Sequence, residues 1–292
     1  MTFFQSIVYG IVQGLTEFIP VSSTAHLRLV PAFFHWTDPG SAFTAIIQLG
    51  TVLAALLYFW KDLAAAFKGW IGSFSGDKTS MEARTGWAVF YATIPISVIG
   101  LLIHKYIEGP FRSLWVIGAS LIIMGVVMFL ADKGDKFGRK LESVEPADGI
   151  RIGLWQCLAL IPGMSRSGST ISGALIGGFD RVAAARLSFL MSIPAITLAG
   201  FYEGFKDIKV LKQTHMVTPT IVAAIVSFVV GYACISWFIN LLSKQGTRPF
   251  VAYRIVLGAL ILILCAVGQL NPTAPVDTEK SNAPSQISTT AV

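Results

Sequence analysis

Six apolar runs, at residues 41–60, 87–103, 114–131, 182–200, 221–242 and 253–270, decide what this chain can fold into. A run of about 17–25 apolar residues is long enough to cross the hydrocarbon core of a bilayer as a helix. Only 13% of the 292 residues are charged and 54% are hydrophobic, whereas a soluble domain carries about 25% charged residues. With a mean hydropathy of +0.67, much of the surface cannot face water. The chain reads as an all-α polytopic membrane protein.

An earlier run, 3–19, lacks the basic start and small-residue cleavage site of a secretory signal and contains Glu17, so it predicts a retained helix. Cys157, Cys234 and Cys265 stand singly in apolar runs, a spacing that implies neither a disulfide framework nor a metal site. The net charge of +6 sits mostly in loops, at Lys61, Lys68, Lys133, Lys136, Arg139, Lys140, Lys206, Lys209 and Lys212. That pattern predicts orientation by the positive-inside rule and contact with anionic membrane lipids. No aromatic-interleaved basic patch is present, so no nucleic acid is expected as a partner.

The longest polar interruption, "DKGDKFGRKLESVEPADG" at 132–149, divides a single membrane domain of residues 1–270 into halves of about 1–131 and 150–270. The tail 271–292 is rich in Pro, Ser and Thr and is expected to be disordered. The halves echo each other: "QGLTEFIPVSSTAH" in the first has a counterpart in "QCLALIPGMSRSGS" in the second. Each follows a Gln and places Ile-Pro before a cluster of small hydroxylic residues. Duplicated, interrupted segments of this kind point to an inverted-topology repeat whose site lies where the two meet. Irregular backbone at membrane depth survives only where protein or a watery cavity satisfies it. Residues 20–29 and 162–178 are therefore expected to turn in two re-entrant helical hairpins that face one pocket.

Arg166 is the residue that demands explanation, since an arginine near the centre of a spanning helix costs roughly 2.5–3.5 kcal/mol on insertion scales. It could snorkel, or pair with Glu17. It could also hold a phosphate, because Ser165, Ser167, Ser169 and Thr170 offer hydroxyls, and Gly163 and Gly168 let backbone N–H groups approach an anion. A helix starting at about Ser169 would add its dipole. The stretch lacks the order of a Walker loop. In the first cluster, Glu17, Ser22, Ser23, Thr24 and His26 combine a carboxylate, hydroxyls and an imidazole, the parts of a nucleophile, a base and a proton carrier. Gln13 lies one helical turn before Glu17 on the same face and could orient it or bond a neighbouring helix. Gly173 and Gly177 form a small-xxx-small pair suited to helix packing.

"QGLTEFIPVSSTAH" together with "PGMSRSGST" resembles the two signature motifs of the bacterial undecaprenyl-pyrophosphate phosphatases, the bacitracin-resistance family. The likeness runs on through "IIQLGTVLA", "RLSFLMSIPA" and "YRIVLGAL" and covers most of residues 1–270. The resemblance implies a multi-pass protein of the bacterial cytoplasmic (inner) membrane with its site on the outer face. It implies hydrolysis of a polyprenyl diphosphate to the monophosphate, which recycles the lipid carrier for peptidoglycan synthesis. The family's glutamate falls on Glu17, its first-motif serines on Ser22 and Ser23, its histidine on His26, and its second-motif serine, arginine and threonine on Ser165, Arg166 and Thr170. Many members carry a second glutamate where this chain has Gln13, and an amide can orient but cannot act as a base.

Catalytic residues are thus expected at Glu17, Ser23, His26 and Arg166, and phosphate-binding groups at Ser22, Ser165, Arg166, Ser167, Thr170 and Gln13. Ser23 is the expected nucleophile, activated by Glu17 or His26; a water activated by Glu17 is the alternative. No tightly bound cofactor is expected, although a magnesium or calcium ion could bridge Glu17 and the diphosphate. A homodimer is a candidate assembly. The rival reading is a polyprenyl-phosphate flippase or anion transporter, which needs an anion site but no poised nucleophile.

Overall fold

The computed structural model describes residues 1–133, 138–213 and 215–273. Residues 134–137 of the polar loop, residue 214 and residues 274–292, which are all but the first three of the 271–292 tail expected to be disordered, lie outside them. Among the described residues the regular structure is helical, apart from one isolated bridge between Arg139 and Phe179. The helices are α1 (Phe3–Phe18), α2 (Ser23–Phe34), α3 (Gly40–Tyr58), α4 (Trp60–Gly72), α5 (Met81–Glu108) and α6 (Leu114–Ala131) in the first half. The second half holds α7 (Pro146–Gln156), α8 (Arg166–Ile176), α9 (Arg181–Gln213), α10 (Val217–Gln245) and α11 (Arg248–Ala266).

Five of these, α5, α6, α9, α10 and α11, are long and apolar enough to cross a membrane. A sixth candidate span arises when α3 and α4, bent by 80°, count as one. The expected apolar runs fall on α3, α5, α6, α9, α10 and α11, although the first breaks at Phe59 and the helix of the last ends at Ala266. Their outward faces carry exposed Leu101, Leu102, Val229, Val256 and Ile263, an apolar surface far larger than a water-soluble monomer keeps.

Local sequence explains the helix starts. Thr2 and Gln5 form a capping box at α1, and Ser80 and Ser113 cap α5 and α6. The expected loop 132–149 ends early, at Glu145. A reciprocal pair of bonds between Glu145 and Asp148, with Pro146 in the first turn, begins α7 inside it. Asp148 also holds Arg139 at 2.6 Å and pairs with Arg151.

Small residues let the helices approach. Gly10 and Gly14 of α1 lie against Ala223, Val226 and Val230 of α10, and Gly149 and Gly153 of α7 lie against Ala88 and Ala92 of α5. Gly118 meets Leu262 and Gly125 meets Ile255, so α6 and α11 run antiparallel. Gly200 meets Leu49 and Gly204 meets Ile46, so α9 runs antiparallel to α3. A Cβ at Gly10, Gly14 or Gly153 would come within 2.7 Å of its neighbour, which leaves no room for a larger residue. The main core adds an aromatic chain in which Phe189 packs on Phe18, Phe59 and Phe238 at centroid distances of 5.3, 5.6 and 5.9 Å. It supports the floor on which Glu17 stands.

Candidate functional site

Two short turns build the site, one between α1 and α2, the other before α8. Ser22 (φ 76°, ψ 98°) and Ser165 (φ 67°, ψ 121°) both adopt positive φ, a state that side chains rarely take and that costs of order 1–3 kcal/mol. Each caps the helix that follows: the Ser22 hydroxyl accepts from Ala25 N at 3.4 Å, and the Ser165 hydroxyl from Gly168 N at 3.2 Å. Helix α8 thus starts at Arg166, three residues ahead of the expected start near Ser169, because the reversal at Ser165 releases Arg166 into helical geometry.

The matching continues bond by bond. Ser22 Oγ lies 3.1 Å from Thr24 Oγ1, and Ser165 Oγ lies 3.2 Å from Ser167 Oγ. The Ser22 carbonyl is 2.8 Å from His26 Nδ1, and the Ser165 carbonyl accepts from Ser169 Oγ at 2.8 Å. The first helical residues are then Ser23 in one turn and Arg166 in the other, and both reach one carboxylate. Glu17 Oε2 accepts from Ser23 Oγ at 2.7 Å and from Gln13 Nε2 at 2.8 Å, and Glu17 Oε1 accepts from Arg166 Nη2. All four side chains are largely buried. The Arg166–Glu17 pair, one of the three outcomes open at Arg166, is therefore present.

One further side chain holds both turns. Arg254 of α11 is fully buried and donates to Pro20 O at 3.0 Å, Gly163 O at 2.7 Å, Met164 O at 3.3 Å and Leu121 O at 3.3 Å. Pro20 leads into Ser22, Gly163 and Met164 lead into Ser165, and Leu121 belongs to α6. A single guanidinium thereby sets the distance between the two turns.

Glu17, Ser22, Ser23, Thr24, Ser165 and Arg166 line the polar end of a cavity of about 500 Å³ whose walls include Ile96, Leu101, Leu160 and Ile196. Not every expected residue reaches it. The Ser167 hydroxyl donates to Ile19 O at 3.3 Å, and Thr170 is tied to Arg166 O at 2.8 Å and Ser188 Oγ at 2.6 Å, so both brace α8. His26 stacks on Tyr253 at 5.7 Å with Nε2 at 2.7 Å from its hydroxyl, and so both ring nitrogens are engaged away from Glu17. Among the described residues no group of three or more His, Cys, Asp or Glu is placed to hold a metal ion. Gln13 Oε1 is buried without a hydrogen-bond partner among the described residues.

Residues 6–260 match the family described as Bacitracin resistance protein BacA. The chain belongs to that family. Family relatives include an undecaprenyl-diphosphatase 2 of Streptomyces coelicolor, 47% identical over 94% of this chain and 98% of its own length. An undecaprenyl-diphosphatase of Myxococcus xanthus is 44% identical over 95% and 94%. A third, of Pelodictyon phaeoclathratiforme, is 46% identical over 93% of this chain and the whole of its own.

In this member of the family, sequence reasoning missed Arg254, Tyr253, Arg28 and Arg112. Arg254 carried the same signal as Arg166, a charge inside an apolar run, and could have been found by it. Tyr253 and Arg112 gave no such signal, since their partners His26 and Asp38 lie 227 and 74 positions away, and Arg28, near Asp38 in the chain, stands out only once Arg112 joins the same carboxylate.

Proposed function

We propose that this chain is an undecaprenyl-diphosphatase, removing the terminal phosphate of a polyprenyl diphosphate within the membrane. The observation that carries the reading is the buried hydrogen bond from Ser23 Oγ to Glu17 Oε2, beside a guanidinium, at the polar end of an apolar-walled cavity. Phosphoryl transfer asks for charge stabilisation and an in-line nucleophile. Arg166 has donors beyond the one given to Glu17 and can clamp the terminal phosphate with them. Ser23 Oγ attacks the terminal phosphorus while its proton passes to Glu17. The bond to the bridging oxygen breaks and the lipid monophosphate leaves. Water then attacks the phosphoserine, inorganic phosphate departs, and Ser23 regains its proton. The 2.7 Å bond favours the serine over a water held by Glu17. His26 acts through the turn, holding the Ser22 carbonyl, and Ser165 lines the cavity with its hydroxyl held by Gly168 N and Ser167 Oγ.

The carboxylate of Glu17 already receives Gln13, Ser23 and Arg166. Those three donors leave the carboxylate little room for a cation held by the protein alone; a divalent cation carried in on the diphosphate would lie mainly on phosphate oxygens, with Glu17 as its one protein carboxylate. Such a cation would neutralise phosphate charge.

The fold reading that accompanies this function is an inverted repeat with α1–α2 and α7–α8 as re-entrant hairpins in one membrane domain. Its support is threefold: the paired serine turns, the parallel packing of α1 on α10 as of α7 on α5, and the antiparallel α3–α9 and α6–α11 contacts. In this register Glu17 corresponds to Gln156, each three residues after the second glycine of a matched pair, and the sequence alignment of Gln13 with Gln156 is out of step.

An outer-face site is supported by charge. Lys61, Lys68, Lys78, Lys133, Lys140, Lys244 and Arg248 all lie at the end where α3, α6 and α10 finish, the cytoplasmic end by the positive-inside rule. The cavity instead reaches Thr44 at the start of α3 and Ile107 at the end of α5.

Purified protein in detergent, given a long polyprenyl diphosphate with and without chelator, tests the function. One phosphate per lipid is expected, faster than from inorganic diphosphate. Folded protein that releases none would turn the reading toward a lipid transporter.

A further inference from the structure

The cavity has a second cationic wall that the chemistry at Ser23 does not use. Ser23, Thr24, Leu27 and Arg28 all line it, the spacing of one face of α2. Five residues of helix put Arg28 about 7.5 Å beyond Ser23 along the axis, toward the end where Arg112 and Ile107 also line the cavity. The two arginines share one carboxylate. Arg112 Nη2 donates to Asp38 Oδ1 at 3.1 Å and Oδ2 at 2.8 Å. Asp38 Oδ1 also accepts from Gly40 N at 2.9 Å. Arg28 is left with the remainder: its Nε lies 3.6 Å from Asp38 Oδ2, beyond hydrogen-bond range, and its Nη2 donates to Thr273 O at 3.3 Å. The Arg28 side chain is only 7% exposed, and its Nε has no hydrogen-bond partner among the described residues. Among the described residues, two guanidiniums against one carboxylate leave one positive charge in excess, and a buried charge without full compensation is costly. Glu203, which also lines the cavity, has Lys206 at 3.9 Å.

We propose that Arg28, backed by Arg112, is a second anion site of the cavity, taking a phosphate group on its way to or from Ser23. The proposal rests on the phosphatase reading above. The excess charge stabilises a phosphate dianion one to two helical turns from the reacting group, and Asp38 keeps the two arginines from repelling each other. The phosphate can come from two sources. It is either the headgroup of an incoming lipid diphosphate or the inorganic phosphate that hydrolysis releases.

The test compares wild type, Arg28→Gln and Arg28→Lys as full chains in detergent. Arg112 still pairs with Asp38 when Arg28 is replaced, so the glutamine variant should keep its melting temperature. Two quantities are read: KM for a long polyprenyl diphosphate, and the inhibition constant of added inorganic phosphate. Arg28→Gln should raise at least one of them about tenfold, the loss expected for one charge-assisted contact of roughly 1.4 kcal/mol, with Arg28→Lys between it and wild type. A raised KM alone identifies the incoming headgroup, a raised inhibition constant alone the released phosphate, and both a shared site. Unchanged values in folded Arg28→Gln protein would overturn the proposal. If Arg28→Gln melts early, wild-type values for both quantities in Arg28→Lys would overturn it. Inorganic phosphate binding is also measured calorimetrically in Ser23→Ala and in Ser23→Ala/Arg28→Gln. That arm needs no turnover, so a wild type that fails to hydrolyse would sink the phosphatase reading while leaving this site to be judged separately.

Discussion

Ser22 and Ser165 share one backbone conformation at the starts of two different helices, with φ 76° and 67°, and each closes its own helix with its hydroxyl. Positive φ strains a Cβ, whereas a cap hydroxyl stabilises by about 1 kcal/mol. Ser165→Gly relieves the first and loses the second, so its melting temperature should stay within a few degrees of wild type. Ser165→Ala keeps the strain and loses the cap, and should melt lower. Detergent melting curves of the two variants decide this, and alanine melting higher than glycine would contradict the cap and strain assignment.

Ser23→Ala should remove turnover while sparing the fold, because Glu17 keeps Gln13 and Arg166 when the hydroxyl goes. Near-normal phosphate release from the folded variant would eliminate Ser23 as nucleophile. Acid-quenched wild type should carry phosphoserine at position 23.

His26→Ala frees the Ser22 carbonyl and empties the stack on Tyr253. Turnover should fall strongly, and Tyr253→Phe should fall less, since it keeps the stack and loses only the 2.7 Å bond. Adding Tyr253→Phe to His26→Ala should then cost little more, as expected for two residues acting as one unit. Additive losses in kcat would mean that they act separately.

Arg166→Lys keeps the charge but loses the planar fork. A preorganised contact to the transferring oxygens is worth about 2.7–4 kcal/mol, so turnover should drop on the order of a hundredfold or more. The ammonium can still meet Glu17, so the melting temperature should move little. A collapse in stability with kcat preserved in the surviving protein would make Arg166 a structural ion pair alone.

Arg254→Met removes four hydrogen bonds to carbonyls and leaves those oxygens buried. Each unsatisfied group costs about 1–3 kcal/mol, so the variant should melt well below wild type. Arg254→Lys should recover part of the stability but less of the turnover, because a point charge cannot hold Pro20 and Gly163 at a set spacing. Equal recovery of both would separate Arg254 from the geometry of the site.

The sequence by itself determined the membrane class, the helical runs and the two motif clusters, because these rest on local composition: a long apolar run has no other stable state in lipid than a helix. It also singled out Glu17, Ser23 and Arg166, which line one cavity, since intramembrane charge and clustered hydroxyls are legible without a partner. Only the tertiary structure decided who bonds whom. Ser167 and Thr170 carry the same hydroxyl as Ser165 and Ser23, and His26 carries the imidazole of a base, yet their bonds go to Ile19, Ser188 and Tyr253. The clamp of Arg254 on Pro20 and Gly163 joins residues 234 and 91 positions apart, and the shared carboxylate of Arg28 and Arg112 depends on a contact 74 positions apart. Such pairings follow from how helices pack through small residues in three dimensions, and no local pattern of side chains encodes them.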